Sequence, residues 1–316
     1  MNNKLYVKIA AMLAIIALLG AGITALTAPR TSQSDAVRIV TSFYPVYIAA
    51  QNVVGDAEGV EIVNMVDGQF GCLHDYQMSP ADLVTLNSAD IFVMNGAGAE
   101  PFIDSVPDYH APSTVIDLSE GIDFLENGHI HEHDGHDHDH EATEDMLTVN
   151  DHLWVSPLRY RQQIEILRDG LCEADPAHAA IYRANADDYL TKIDAVYARL
   201  REAVTPFAAA KTVLLHDSLA YLAEDLSLNV AAALNVGEDS GVSAATLSTA
   251  EDALKEASFA LFLCDSQYTA VNYAYLQTLC EHTVVVEVDT CVTGDGSESH
   301  WLDAMTTLCE AWEDAV

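Results

Sequence analysis

From Val37 onward, short apolar runs alternate with helical stretches, and this alternation constrains the fold more than any other feature of the chain. Strands are expected at 37–43, 60–66, 91–95 and 114–118. Helices are expected between them, at 45–54, 79–87 and 101–105. Each has a proline near its first turn, where the missing N–H costs nothing. A strand–helix–strand rhythm of this kind produces a parallel sheet covered on both faces.

The rhythm breaks at 120–149 and later resumes. Ser156-Pro157 is expected to open a helix ending at Cys172, and Asp175-Pro176 a long one reaching about Val204. The long helix carries Ile181, Tyr189, Ile193, Val196 and Leu200 near helical spacing. Further strands are expected at 212–215, 229–234, 259–264 and 283–288. The helices among them are 218–225, 248–257, 268–281 and 301–312, with Ser248 as a cap and Glu251 at capping-box spacing. The fold class is α/β: two lobes, each with a mostly parallel sheet flanked by helices, joined by one long helix. Residues 1–36 read as a signal or anchor segment and linker, 37–174 as the N-terminal lobe, 175–207 as the linking helix and 208–316 as the C-terminal lobe. Open parallel sheets bind ligands at the carboxyl ends of their strands, so the cleft between the lobes is the expected site.

Composition enters where it narrows the ligand. Lys and Arg number 13 against 49 Asp and Glu, a net charge of −36. That field repels nucleic acid and concentrates cations, so no nucleic-acid partner is expected. Residues 129–140 read HIHEHDGHDHDH and hold His129, His131, His133, His136, His138 and His140, out of 13 histidines in all. Imidazoles interleaved with carboxylates suit Zn²⁺ and its neighbours, and no packed core requires such a run. A flexible string of ligands binds loosely, so the loop 128–141 reads as an accessory collector.

Three other histidines occupy better positions. His74 (CLHDYQMSP) follows the second expected strand, His152 (NDHLWVSP) precedes a helix, and His216 (LLHDSLAYL) ends a strand. Asp289 ends the strand at 283–288 on the same side of the second lobe. Three neutral imidazoles and one carboxylate satisfy tetrahedral zinc, and ligands drawn from both lobes let the metal clamp the cleft. Asp75, Asp151 and Asp217 adjoin the histidines, but neighbours on extended chain point opposite ways, so their pairing does not follow from sequence.

The segments YPVYIAAQNVVGD, HDYQMSPADLVTLNSADIFVMNGAGAEPFID, DHLWVSP and LLHDSLAYLAEDLSLN resemble, in order, those of the zinc-type solute receptors of ABC importers, the TroA-like family. The likeness runs from about Val37 to the C-terminus. It implies two α/β lobes around a metal-binding cleft, with ligands carried over to His74, His152, His216 and Asp289. It also implies a monomeric receptor that delivers Zn²⁺, its transported ligand, to a permease and its ATPase. The histidine-rich loop is similar to that of zinc-type members. The chain departs from the family in having Leu73 where a proline often stands, and in lacking the proline after Asp289. Cys72 and Cys291 then fall near the cleft mouth, as a bridge, as free thiols or as packing.

Alternatives remain. A receptor for Mn²⁺ or another divalent metal, a metal-linked adhesin and a metal buffer would use the same fold. A zinc hydrolase is disfavoured, because there is no HExxH and four protein ligands would close the shell, so no enzyme is expected. Lys4 and Lys8 precede an uncharged apolar stretch at 9–28, long enough to span a bilayer or serve as a secretory signal. No cysteine follows it as a lipid-attachment site. The protein is therefore expected outside the cytoplasm, tethered or cleaved. The six cysteines permit three disulfides there.

Overall fold

The computed structural model describes residues 36–66, 76–104, 114–125, 149–234, 242–268 and 274–315. Residues 37–316 form one unit built on two four-stranded parallel sheets. In the first, β1 (Val37–Thr41), β2 (Val60–Asn64), β3 (Ile91–Met94) and β4 (Thr114–Asp117) lie in the order β2-β1-β3-β4. In the second, β5 (Lys211–Leu214), β6 (Val230–Ala233), β7 (Ala260–Asp265) and β8 (Thr283–Val288) repeat that pattern as β6-β5-β7-β8. Every pairing is parallel. The two-lobe α/β class expected from the alternation is what forms.

The helices are α1 (Tyr44–Val54), α2 (Pro80–Leu86), α3 (Pro101–Asp104), α4 (Pro157–Ala174), α5 (Ala179–Ala203), α6 (Ala220–Asp225), α7 (Ala244–Lys255), α8 (Ala274–Gln277) and α9 (His300–Asp314). Ser79 caps α2 in a full capping box with Asp82, and Ser156 caps α4 by accepting from the Arg159 N–H. At 25 residues, α5 is about 37 Å long. It packs against α1, α4 and α9. One continuous core therefore runs from the first sheet through α4, α5 and α9 to one face of the second sheet. A smaller cluster covers the other face, where Ala260, Phe262 and Cys264 alternate with Leu261 and Leu263 of the larger core.

Two expected helix starts move, and a third expected helix is described only in part. The helix expected from Ser248 begins at Ala244, with Ser243 as cap, because the apolar stripe Leu247, Ala250, Leu254 extends the pattern backward. Asp175 does not cap the long helix. Its carboxylate is taken by His178 Nδ1 at 2.6 Å and the Tyr182 hydroxyl at 2.8 Å, and α5 starts at Ala179. The helix expected at 268–281 is described only as a 3₁₀ turn, Ser266–Tyr268, and the short α8. Cys172, Cys264, Cys280, Cys291 and Cys309 are free thiols, so the described residues contain no disulfide; Cys72 lies outside them. Among the described residues no helix is long and apolar enough to cross a membrane, and the stretch 9–28 lies outside them.

Candidate metal centre

Both sheets reverse their strand order next to the first strand, and a loop leaving each reversal point meets the interlobe seam. In the first lobe, the buried Glu100 gathers that loop. It accepts from Ser42 Oγ at 2.7 Å, the Asn95 N–H at 2.7 Å and the Gly96 N–H at 3.1 Å. Burial pushes its carboxyl up to about 7, although these three donors favour the ionised form. Gly96 has φ of +75°, and a side chain there would collide with Asp117 and Ser119. Asn95, so fixed, donates from Nδ2 to the Asp151 carbonyl at 2.9 Å, which sets the backbone beside His152.

In the second lobe His216 follows β5 and Asp265 ends β7. Asp265 is buried and accepts from Ser218 Oγ at 2.9 Å, the Gln267 N–H at 3.0 Å and Thr290 Oγ1 at 3.1 Å. It locks together the loops after β5, β7 and β8. Trp154 Nε1 then donates across the seam to the Thr290 carbonyl at 2.7 Å, and Trp301 Nε1 to the Trp154 carbonyl at 2.8 Å.

These supports bring two imidazoles together edge to face. His152 and His216 have ring centroids 5.7 Å apart and planes at 83°. With Asp217 they offer ligand atoms that all lie within 4.8 Å of one another. Ligands of a tetrahedral zinc stand roughly 3.3 Å apart, a closer spacing than this bound requires. His152 directs Nδ1 at Asn150 Oδ1, 3.0 Å away, with Asp151 Oδ1 at 3.2 Å. This leaves Nε2 with its lone pair, as a ligand requires. His216 Nδ1 instead accepts the Ser218 N–H at 3.1 Å, with Asp217 Oδ1 at 3.3 Å. Burial lowers the His216 pKa, against the pull of the Asp217 charge, and the neutral ring is the form that binds metal.

Asp289 lies elsewhere in this structure. Its Oδ1 accepts the Cys291 N–H at 2.8 Å and its Oδ2 meets His300 Nε2 at 3.1 Å. With Cys291 and His300 it forms a second donor cluster, beside a cavity of about 370 Å³ lined also by Asp295 and Asp303. His74 and the run His129–His140 fall outside the described residues. Sequence reasoning missed Asn150, Asp265 and His300, and gave Asp217 no ligand role. Asp265 was findable, since it ends a strand as Asp289 does; the other three reveal themselves only through contacts between distant segments.

The family model for the periplasmic zinc-uptake complex component A, ZnuA, matches residues 39–315. The chain belongs to this family. It is 33% identical over 231 residues to the iron-binding protein YfeA of Yersinia pestis, covering 71% of this chain and 68% of that one. It is 26% identical over 229 residues to the high-affinity zinc uptake system protein ZnuA of Bacillus subtilis, covering 70% and 69%. Its fold is similar to the solute-binding protein FpvC of Pseudomonas aeruginosa in complex with Mn²⁺, with TM-score 0.71, 21% identity and coverage of 89% and 98%. The protein is thus a metal-binding receptor of the ABC-importer type, and the metal is its cargo.

Proposed function

We propose that this protein captures Zn²⁺ outside the cytoplasm and delivers it to a membrane permease driven by an ATPase. The observation that carries the reading is the meeting of His152 and His216, one from each lobe, with Asp217 beside them. The proposed ligand set is His74, His152, His216 and Asp289, with Asp289 turning from His300 toward the ion on closure. Two supports favour zinc. Imidazole donors suit it better than they suit harder cations, and the run His129–His140 supplies more of the same chemistry nearby in sequence. The loop gathers zinc weakly, and the cleft holds it tightly. The protein acts as a monomer and performs no chemistry on its cargo. The apolar stretch 9–28 either tethers it or directs its export.

A second reading, a receptor for manganese or iron, is favoured by the 33% identity to an iron-binding relative and by the carboxylate of Asp217 at the histidine pair. Competition titration against a chelator, with Zn²⁺, Mn²⁺ and Fe²⁺ in turn, separates the two. Zinc is expected to bind one tight site at least a hundredfold more strongly than manganese. Equal or reversed affinities would give the assignment to the second reading.

A further inference from the structure

Asn150 bonds with its backbone and side chain to both lobes. It is 2% exposed. Its N–H donates to the Leu125 carbonyl at 3.0 Å, and its carbonyl accepts from the Tyr221 hydroxyl at 2.7 Å. Its Oδ1 accepts the His152 N–H at 3.0 Å and lies 3.0 Å from His152 Nδ1. Its Nδ2 donates to the Asp217 carbonyl at 2.9 Å.

The orientation of this amide follows from its neighbours. A backbone N–H can only donate, so the atom facing the His152 N–H is oxygen. A backbone carbonyl can only accept, so the atom facing Asp217 is nitrogen. Since Oδ1 has no proton to give, His152 Nδ1 must carry one, and the ring presents Nε2 as its lone pair. His216 Nδ1 faces a donor instead, the Ser218 N–H at 3.1 Å. The two rings thus differ at Nδ1, where His152 meets Asn150 Oδ1 at 3.0 Å, with Asp151 Oδ1 next at 3.2 Å, and His216 meets a backbone donor.

We propose that Asn150 is the positioning residue of the metal site: its amide oxygen sets the tautomer of His152, and its amide nitrogen ties the His152 segment to Asp217 of the second lobe. The inference rests on reading His152 as a metal ligand. An aspartate at this position would keep the oxygen and lose the donor, whereas an alanine would lose both. The two substitutions therefore separate the two halves of the role.

The test uses the whole protein with zinc alone as the probe. Affinity is read by chelator competition at substoichiometric zinc, release by stopped-flow, and the His152 tautomer by ring ¹⁵N shifts of the metal-free protein. N150A is expected to weaken tight zinc binding roughly 10–100-fold and to lose the Nδ1–H signature of His152. N150D is expected to keep that signature, to lose less affinity than N150A, and to release zinc faster than the unaltered protein. An N150A protein with unchanged tautomer and affinity would overturn the tautomer role, and unchanged release from N150D would overturn the tie. Should N150A fail to fold, loss of the Nδ1–H signature in N150D would overturn the tautomer role in its place. H152A separates this proposal from the reading beneath it. If H152A binds zinc as tightly as the unaltered protein, the ligand assignment falls; if only N150A is silent, the assignment stands and Asn150 does not.

Discussion

Two clusters of side chains able to ligate a metal lie among the described residues, and they are organised differently. At His152, His216 and Asp217, the two Nδ1 atoms face Asn150 Oδ1 and the Ser218 N–H, with the Asp151 and Asp217 carboxylates at 3.2 and 3.3 Å. At Asp289, Cys291 and His300, the donors occupy each other: His300 Nε2 meets Asp289 Oδ2 at 3.1 Å, while His300 Nδ1 meets the Tyr44 hydroxyl at 3.0 Å. The first cluster is sheltered, with the His216 side chain 3% exposed; in the second, the Asp289 side chain is 47% exposed. Proximity of donors alone does not make a site. A receptor site needs lone pairs that the protein orients and leaves for the cargo, in a region already shielded from water.

The sharpest way to break this contrast is to remove one ring from each cluster. H216A should lower tight zinc affinity by more than the roughly 10–100-fold that follows loss of a group that only orients a ligand. H300A should change it less, because His300 meets Asp289 and Tyr44 and is outside the proposed ligand set. Chelator competition on both variants checks the order, and a reversed order would make the second cluster the principal one. Next in size is the support beneath the first cluster. D265A strips the acceptor from Ser218, Thr290 and the Gln267 N–H, and should destabilise the metal-free protein by roughly 1–3 kcal/mol in urea denaturation. Y44F removes the hydroxyl that meets His300 and accepts the Gly296 N–H, and should cost about 1 kcal/mol with little change in zinc affinity.

The smallest expected effect is on pH. The folded protein holds the His216 pKa below its ordinary value of 6.5, chiefly by burial. The unfolded chain therefore takes up that proton first as pH falls. This contribution to stability is complete above about 6.5 and diminishes as the solution is acidified below it. Glu100 works in the opposite sense. Its carboxyl is raised to about 7, so its protonated form favours the fold below the ordinary carboxylate value, and that contribution is lost as pH rises through about 7. Melting the metal-free H216A and E100Q variants across this range should separate the two slopes.

Much of the architecture was legible because it depends on local pattern. Apolar runs bounded by prolines and serines located all eight strands, and Ser79 and Ser156 marked two helix starts correctly. Where two serines competed, at 243 and 248, the local signal was ambiguous and packing of Leu247, Ala250 and Leu254 decided. That His152 and His216 meet was legible because strand ends and helix starts in an open sheet face the cleft. Asp265 satisfied the same rule and was overlooked.

By itself the sequence determined the fold class, with two mostly parallel sheets, and the chemical character of the cargo, through acidity and imidazole content. These follow from periodicity and composition, which act over a few residues or over the whole chain. Only the tertiary structure decided which partners orient those imidazoles. Asn150 reaches Asp217 across 67 residues, and His300 meets Tyr44 across 256. Hydrogen-bond direction, and with it the tautomer of a ligand, depends on atoms brought within about 3 Å by folding. No spacing along the chain encodes that distance.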